Sequence, residues 1–368
     1  MFKLPDQATM YRALLDCDPA YDGVFVVAVK TTGVFCRPIC KARKPRRKNV
    51  EFFATIREAL QAGYRPCKRC RPLEAHGKPP NWVRRLLEAV ERAPDRRFTD
   101  AELRTLSLDP ARVRRYFKEH YGMTFHAYQR ARRMGLALAE VRRGGDLNAV
   151  GLRYGFESAS GFRDAFARMF GRPPGRGRDT SCLLARWLDT PLSAMLAVAS
   201  DEGLCLLEFV DRRALERQIA TLRRRLRCAI VPGNNGHLDT IADELARYFK
   251  GTLTEFTVPV VLAGTPFQLA VWNRLRRIPH GQTLSYAQLA EDIRRPGAQR
   301  AVGRANGDNR IAIVIPCHRV VRADGALCGY GGGVWRKRWL LERERAVAAG
   351  RAVEIVAQRD VAAVAMRA

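Results

Sequence analysis

The sequence predicts a multidomain α+β protein, and three observations carry that prediction. Two tight cysteine pairs lie in a short mixed segment near the N-terminus. The stretch from about Asn81 to Arg178 is apolar at helical spacing and polar between. A third block, from about Cys182 to Ala346, mixes strand-like runs with amphipathic helices. The chain has 368 residues, room for two to four domains at roughly 100–200 residues each. The expected units are 1–77, 81–178, an α/β lobe over 182–260, a more helical lobe over 262–346, and an Ala- and Val-rich tail over 347–368 with no readable motif.

Charge narrows the function before any motif is read. Lys plus Arg is 65 and Asp plus Glu is 37, a net charge of +28. Such a chain favours a polyanion, most often nucleic acid, and an ordinary acidic metabolic enzyme is not the default. An anionic membrane surface is the rival partner, but no run approaches the ~20 apolar residues of a membrane span. The opening MFKLPDQATM lacks the apolar stretch of a signal peptide. A cytoplasmic protein with no membrane partner is expected. Hydrophobic content of 47% argues against a disordered basic tail. In a chain without an export signal, ten cysteines favour metal and thiolate chemistry over disulfides.

The first block reads as a helix from Met10 to Cys17, a strand-like run from Gly23 to Val29, a second from Val50 to Phe53, and a short helix ending near Gly63. Its chemistry lies in Cys36-x3-Cys40 and Cys67-x2-Cys70. Two short-spaced thiol pairs brought together make a tetrahedral site suited to Zn2+, and spacing alone fits a purely structural clip. The surroundings add a second reading. The run CRPICKARKPRRKN, which includes Arg43, holds seven Lys or Arg and no carboxylate. A four-thiolate zinc cluster carries a net charge of −2, so electron-rich sulfur would sit beside a cationic, phosphate-binding surface. Thr31-Thr-Gly-Val-Phe-Cys-Arg-Pro-Ile-Cys40 and Gly63-Tyr-Arg-Pro-Cys-Lys-Arg-Cys70 resemble the zinc domain of the bacterial adaptive-response family Ada. The resemblance implies that Cys36 takes a methyl group from a methylphosphotriester in DNA, with Cys36, Cys40, Cys67 and Cys70 as zinc ligands and Arg43 among the DNA contacts. Methylation would leave Cys36 a neutral thioether, and the lost negative charge is expected to strengthen DNA binding.

In the second block, Trp82, Leu86, Leu87 and Val90 mark a helix, and Asp109-Pro110 reads as an N-cap followed by proline in the first turn. Gly144, Gly145, Gly151 and Gly155 are expected to punctuate the later helices. Asp100 to Phe117 reads as helix, tight turn, helix, and its second helix presents Arg112, Arg114 and Arg115. Tyr154-Gly-Phe156 and Phe162-x3-Phe166-x3-Phe170-Gly171 resemble the AraC-type double helix-turn-helix. That family sets two recognition helices in successive major-groove turns, which makes Arg114 and Arg115 DNA-binding candidates and promoter DNA and RNA polymerase expected partners. Leu106 departs from a turn position that is often glycine. A helical spacer with no sequence readout is the bland alternative.

The third block is expected to hold strands at Ala194–Ala199, Leu204–Val210 and Thr257–Leu262. Helices are expected at Arg213–Leu226, Leu238–Phe249, Phe267–Arg277, Tyr286–Ile293, Ala298–Asn306 and Val334–Arg345. Ile315-Pro-Cys-His-Arg-Val-Val321 stands out. Ser285-Tyr286, Arg300-Ala-Val-Gly303, Asn309, Gly329-Tyr330-Gly331 and Trp339-Leu-Leu-Glu-Arg-Glu344 flank it, and the whole is similar to the O6-alkylguanine-DNA alkyltransferases. The resemblance implies an RNase H-like lobe followed by a winged-helix-like catalytic lobe. It makes Cys317 the alkyl acceptor, His318 its base, and Glu344 the group that orients the imidazole. Tyr286 and Arg300 would extrude the damaged base, with Asn309 placed among the DNA contacts and bracing the network. Tyr330 and Cys328 would line the alkyl pocket, and Cys328 is bulkier than the family's usual residue. Apart from what the resemblance implies for Cys328, the residue types alone read Cys17, Cys182, Cys205, Cys228 and Cys328 as packing.

Together these readings predict irreversible, single-turnover methyl transfer from O6-methylguanine, and O4-methylthymine, to Cys317, and from methylphosphotriesters to Cys36. Double-stranded DNA is the partner, a monomer is expected, and the activity is coupled to transcriptional regulation. The alternative is an AraC-type regulator whose zinc is structural only. A lesion-flagging protein without repair would require the acceptor cysteine to be missing, and Cys317 is present.

Overall fold

The computed structural model describes residues 4–351 except 19–20, 23, 55, 71, 73–79, 122, 178–179, 181, 213 and 328. Cys328 and most of the 347–368 tail therefore lie outside the described residues, as does Gly23, the expected start of the first strand.

The N-terminal segment opens with α1 (Gln7–Leu15), capped by Asp6, whose carboxylate accepts from the Thr9 amide at 2.9 Å. There follow β1 (Val26–Val29), β2 (Val34–Cys36), β3 (Val50–Phe53), α2 (Ile56–Gln61) and β4 (Arg65–Pro66). They form one sheet in the order β3-β1-β2-β4, antiparallel except for β2 with β4. Alternation along β1 feeds two small cores. Val27 joins Met10, Leu14 and Phe25 under α1, while Val26 and Ala28 join Phe35 and Ala59 under α2. The parallel pairing of Phe35 with Pro66 matters for chemistry, because it brings Cys36 and Cys67 to the same end of adjacent strands.

The middle segment is all helix: α3 (Asn81–Arg92), α4 (Asp100–Thr105), α5 (Pro110–Tyr121), α6 (Phe125–Arg142), α7 (Leu147–Arg153) and α8 (Ala159–Phe170). Asp109 accepts from the amides of Ala111 and Arg112 at 3.0 and 3.2 Å, with Pro110 at the first helical position. Phe98, Leu103, Val113, Phe117, Phe125 and Tyr128 build the core of the first helix pair. Met134, Leu138, Val150, Phe162 and Phe166 build that of the second, and α6 runs through both. Gly144, Gly155 and Gly171 have positive φ at helix ends, but Gly151 lies inside α7, where an added Cβ would meet Phe162 at 3.2 Å. It is a packing glycine and not a breaker.

The turn between α4 and α5 resolves the Leu106 departure. Leu106 has φ −79°, which needs no glycine, and the left-handed residue is Ser107 at φ 58°. A non-glycine residue held there costs about 1–2 kcal/mol. Ser107→Gly is therefore expected to stabilise the protein by about 0.5–1 kcal/mol after the entropy of the unfolded chain is included. Urea unfolding checks this, and an unchanged or lowered midpoint contradicts it.

The third segment begins with β5 (Cys182–Leu188), β6 (Met195–Ala199), β7 (Leu204–Phe209), α9 (Leu215–Leu226), β8 (Ala229–Pro232) and α10 (Gly236–Lys250). The sheet order is β7-β6-β5-β8, with only β5 and β8 parallel. Next come α11 (Pro266–Leu275), β9 (Leu284–Ser285), α12 (Tyr286–Asp292), α13 (Gln299–Gly307), β10 (Val320–Val321) and α14 (Val334–Ala348). The strand expected at Thr257–Leu262 is absent. Val260 makes a single bridge to Leu204, and the Pro259 carbonyl accepts from Leu204 at 2.8 Å, while Pro259 has no N–H to extend the ladder.

The edge strand β8 is covered by α6. Gly135 permits the approach, since a Cβ there would lie 2.7 Å from Val231. Trp187 of β5 packs on Tyr121 with ring centroids 4.4 Å apart. Among the described residues no helix is long and apolar enough to cross a membrane.

Candidate active site and metal centre

Cys317 opens a short 3-10 turn, Cys317–Arg319, which runs into β10. β10 pairs in parallel with β9, Val321 opposite Ser285, so Tyr286 at the start of α12 follows immediately from that pairing. Cys317 is buried and lies in a small pocket lined also by Glu208, Arg212, Asn306, Tyr330 and Gly331. The Nδ2 group of Asn309 donates to its sulfur at 3.1 Å and to the Ile315 carbonyl at 2.8 Å. Burial pushes the Cys317 thiol up, against the Asn309 hydrogen bond, which favours thiolate; Glu208 raises it further, and Arg212 and Lys337 lower it. The resting group is a thiol that needs a base.

His318 and Glu344 are both fully buried, and Nε2 of His318 lies 2.8 Å from Oε1 of Glu344. Glu344 also accepts from the Tyr248 hydroxyl at 2.8 Å, from Arg319 Nε and Nη2 at 2.8 and 3.0 Å, and from the Gly281 amide at 3.3 Å. Burial alone would raise this carboxyl; the His318 and Arg319 hydrogen bonds and the Arg319 charge outweigh it and hold Glu344 well below the usual carboxylate range. An ionised Glu344 fixes the proton of neutral His318 on Nε2. Nδ1, the remaining ring nitrogen, is buried and makes no hydrogen bond in the structure, so its lone pair is the available base. Burial lowers His318 below the ordinary histidine range, against the pull of Glu344, which keeps that lone pair free at neutral pH.

Tyr330 lines the pocket, 6.5 Å from the His318 ring centre. Arg300 is exposed on α13, and Tyr286 is half-buried against the same helix, 3.6 Å from the Cβ position of Gly303. Asn309 is the correction. It is 1% exposed and engaged with Cys317, so it cannot touch a DNA surface and belongs with the thiol. Sequence reading missed Arg319, Tyr248, Glu208 and Arg212. Arg319 adjoins His318 and was within reach; Tyr248 comes from the other lobe with no local signal. Cys182, Cys205 and Cys228 pack into the helical and sheet cores, as expected.

The four sulfurs of Cys36, Cys40, Cys67 and Cys70 lie within 4.8 Å of one another. With Zn–S near 2.3 Å, tetrahedral sulfurs stand about 3.8 Å apart, so an all-thiolate set at this spacing fits Zn2+. The Arg37 amide donates to Cys70 Sγ at 3.4 Å, and its guanidinium is paired with buried Asp22. Arg43, Arg46, Arg47 and Lys48 are exposed beside the centre. In the helical segment Arg115 is exposed, Arg114 lies 3.7 Å from Asp100, and Arg112 stacks on Trp82 at 5.0 Å. The second pair exposes Arg163 and Arg168 on α8, which sequence reading did not single out.

Comparison with known families follows the same three segments. Residues 9–73 match the metal binding domain of Ada, residues 103–180 a helix-turn-helix domain, and residues 266–346 the DNA binding domain of 6-O-methylguanine DNA methyltransferase. Fold and site thus define a zinc-binding, DNA-binding methyltransferase of the cysteine-acceptor class. The chain is 37% identical over 346 residues to the bifunctional transcriptional activator/DNA repair enzyme Ada of Escherichia coli, covering 91% of this chain and 95% of that protein. It is 38% identical over 344 residues to the regulatory protein ada of Salmonella typhimurium, covering 89% and 93%. The methylated-DNA–protein-cysteine methyltransferase of Mycolicibacterium paratuberculosis is 56% identical over 166 residues, covering 44% and 91%. The chain belongs to the Ada family.

Proposed function

We propose that this protein repairs alkylated DNA at two acceptor cysteines and couples that repair to transcription. The observation that carries the first acceptor is the buried His318–Glu344 pair next in the chain to Cys317, with Nδ1 of His318 unpaired and Asn309 on the sulfur. In the forward step the Cys317 proton passes, through a bridging water, to Nδ1 of His318. Sγ then attacks the methyl carbon of O6-methylguanine. The C–O bond breaks with its electron pair going to the base, which ends as ordinary guanine after gaining one proton. The sulfur ends as a thioether, which no group here can cleave, so each site acts once.

Arg300 and Tyr286 serve to extrude the base, since a methyl on O6 is out of reach inside the stack. Tyr330 closes one wall of the pocket. At the second acceptor, Cys36 takes a methyl from a phosphotriester, which leaves as an ordinary charged diester. Bound zinc supplies the charge that keeps the four sulfurs deprotonated. Exposed Arg43, Arg114 and Arg115 contribute phosphate or base contacts.

Mass spectrometry of tryptic peptides, after incubation with DNA methylated on phosphate and on guanine O6, tests this. One methyl on the Cys36 peptide and one on the Cys317 peptide is the expected result. Methyl on Cys317 alone leaves a repair enzyme with a structural zinc clip. Methyl on neither leaves a regulator.

A further inference from the structure

We infer that Arg212, seated on Glu208, is a positioning residue for transfer at Cys317: one guanidinium from the first lobe fixes both the loop that aims Asn309 at the sulfur and the glycine loop that forms the pocket lip. This rests on Cys317 being the acceptor.

Glu208 is the penultimate residue of β7 and is fully buried. A carboxylate in that setting needs a partner. It has the Phe209 amide at 3.0 Å and the guanidinium of Arg212, four residues on. Arg212 reaches past Glu208 into the second lobe. Its Nη1 donates to the Asn309 carbonyl at 3.2 Å and its Nη2 to the Gly307 carbonyl at 2.5 Å. Gly307 is the last residue of α13, whose terminal carbonyls lack intrahelical partners and favour a cation, and Asn309 follows just beyond the Asp308 cap. Gln218 adds a second bond to Asn309 O at 3.1 Å. With its backbone held from the first lobe, Asn309 accepts from the Ile311 amide at 3.0 Å and turns Nδ2 onto Cys317.

The same guanidinium meets the pocket lip. A Cβ on Gly331 would lie 2.4 Å from Cζ of Arg212, so that backbone lies directly against it. Gly332 is equally tight against the Phe209 ring, at 2.8 Å. A side chain at Gly331 or Gly332 would have to displace Arg212 or the Phe209 and Tyr330 rings, which accounts for these two glycines beside Tyr330. Cys317 therefore faces charge from several elements. Glu208 and Arg212 approach from the first lobe and Lys337 from α14, with Tyr330 on the lip and His318 next in the chain.

Single-turnover transfer from an oligonucleotide carrying O6-methylguanine, followed by mass on the Cys317 peptide between pH 6 and 9, tests the clamp in the full chain. Arg212→Ala is expected to slow transfer by at least about tenfold, the scale of an ångström-level misplacement. Its rate should also reach its plateau at a higher pH, because the guanidinium that lowers the Cys317 thiol is gone. Arg212→Lys keeps the charge without the fork, so it should restore the pH profile but not the rate. An Arg212→Ala rate within about twofold of wild type overturns the clamp. So does full rescue by lysine, or a slowed variant whose melting temperature falls while its pH profile stays put. A wild-type chain that never methylates Cys317 overturns the acceptor reading itself, and the clamp with it.

Discussion

Glu344→Gln should lower transfer to Cys317 by about 10²–10⁴, the usual worth of a positioned general base, while leaving transfer to Cys36 unchanged. The amide cannot fix the proton of His318 on Nε2 by charge, and it presents its own N–H where Arg319 now donates. The Nδ1 lone pair then has no defined direction. The same change leaves the Arg319 guanidinium buried beside a neutral group, a cost of about 3–5 kcal/mol. Rapid-quench transfer at pH 7 measures the first effect and urea unfolding the second. A variant within tenfold of wild type would remove Glu344 from the mechanism.

The same residues fix how stability depends on pH. His318 sits below its ordinary value in the folded chain. The unfolded chain therefore takes up a proton that the folded chain refuses. This contribution is fully present above about pH 6.5 and is lost as pH falls below it. Glu344 is also depressed, so its contribution is present above about pH 4.3 and is lost on further acidification. Both losses run the same way, and the unfolding midpoint should fall in two stages from pH 7 downward.

How much of this was legible beforehand depended on whether each signal was local. The zinc cysteines could be read because each pair is close in sequence, and the helices because the 3.6-residue period is local. The strand at Val50–Phe53 matched its expected bounds. The missed strands explain themselves. β5 carries Arg186 within it, and β8 is four residues ending in Pro232, so neither resembles a buried apolar run. The expected strand at Thr257–Leu262 had the right composition, but proline removed its donor. At the site, Cys317, His318 and Asn309 lie close together in the chain, whereas Tyr248 reaches Glu344 across 96 residues and Arg212 reaches Asn309 across 97. Such pairs exist only once two lobes have closed on each other. For Asn309 the resemblance implies both a DNA contact and a brace of the network; its burial against Cys317 fits the brace and not the contact.

The N-terminal segment should lose its structure without zinc while the alkyltransferase segment keeps its own. Its strands are two to four residues long, and its two cores contain few buried side chains. A unit of this size rarely supplies more than about 3–5 kcal/mol from packing. A structural zinc site contributes about 10–16 kcal/mol at neutral pH, so removing the ion exceeds the whole reserve. The ligands also hold the sheet together, because β2 and β4 pair over only two positions and Cys36 and Cys67 sit at the end of that pairing. Chelation or Cys67→Ala should release the bound zinc, open the first seventy or so residues to protease, and abolish methylation of Cys36. Cys317 draws its positioning from α10, α14 and the Asn309 loop, none of which contains a zinc ligand, so its transfer rate should stay within about twofold. Limited proteolysis with metal analysis, beside transfer at Cys317, separates the two. Protection of the metal-free segment equal to that of the loaded chain would mean that packing holds it, and that zinc serves only the chemistry of Cys36.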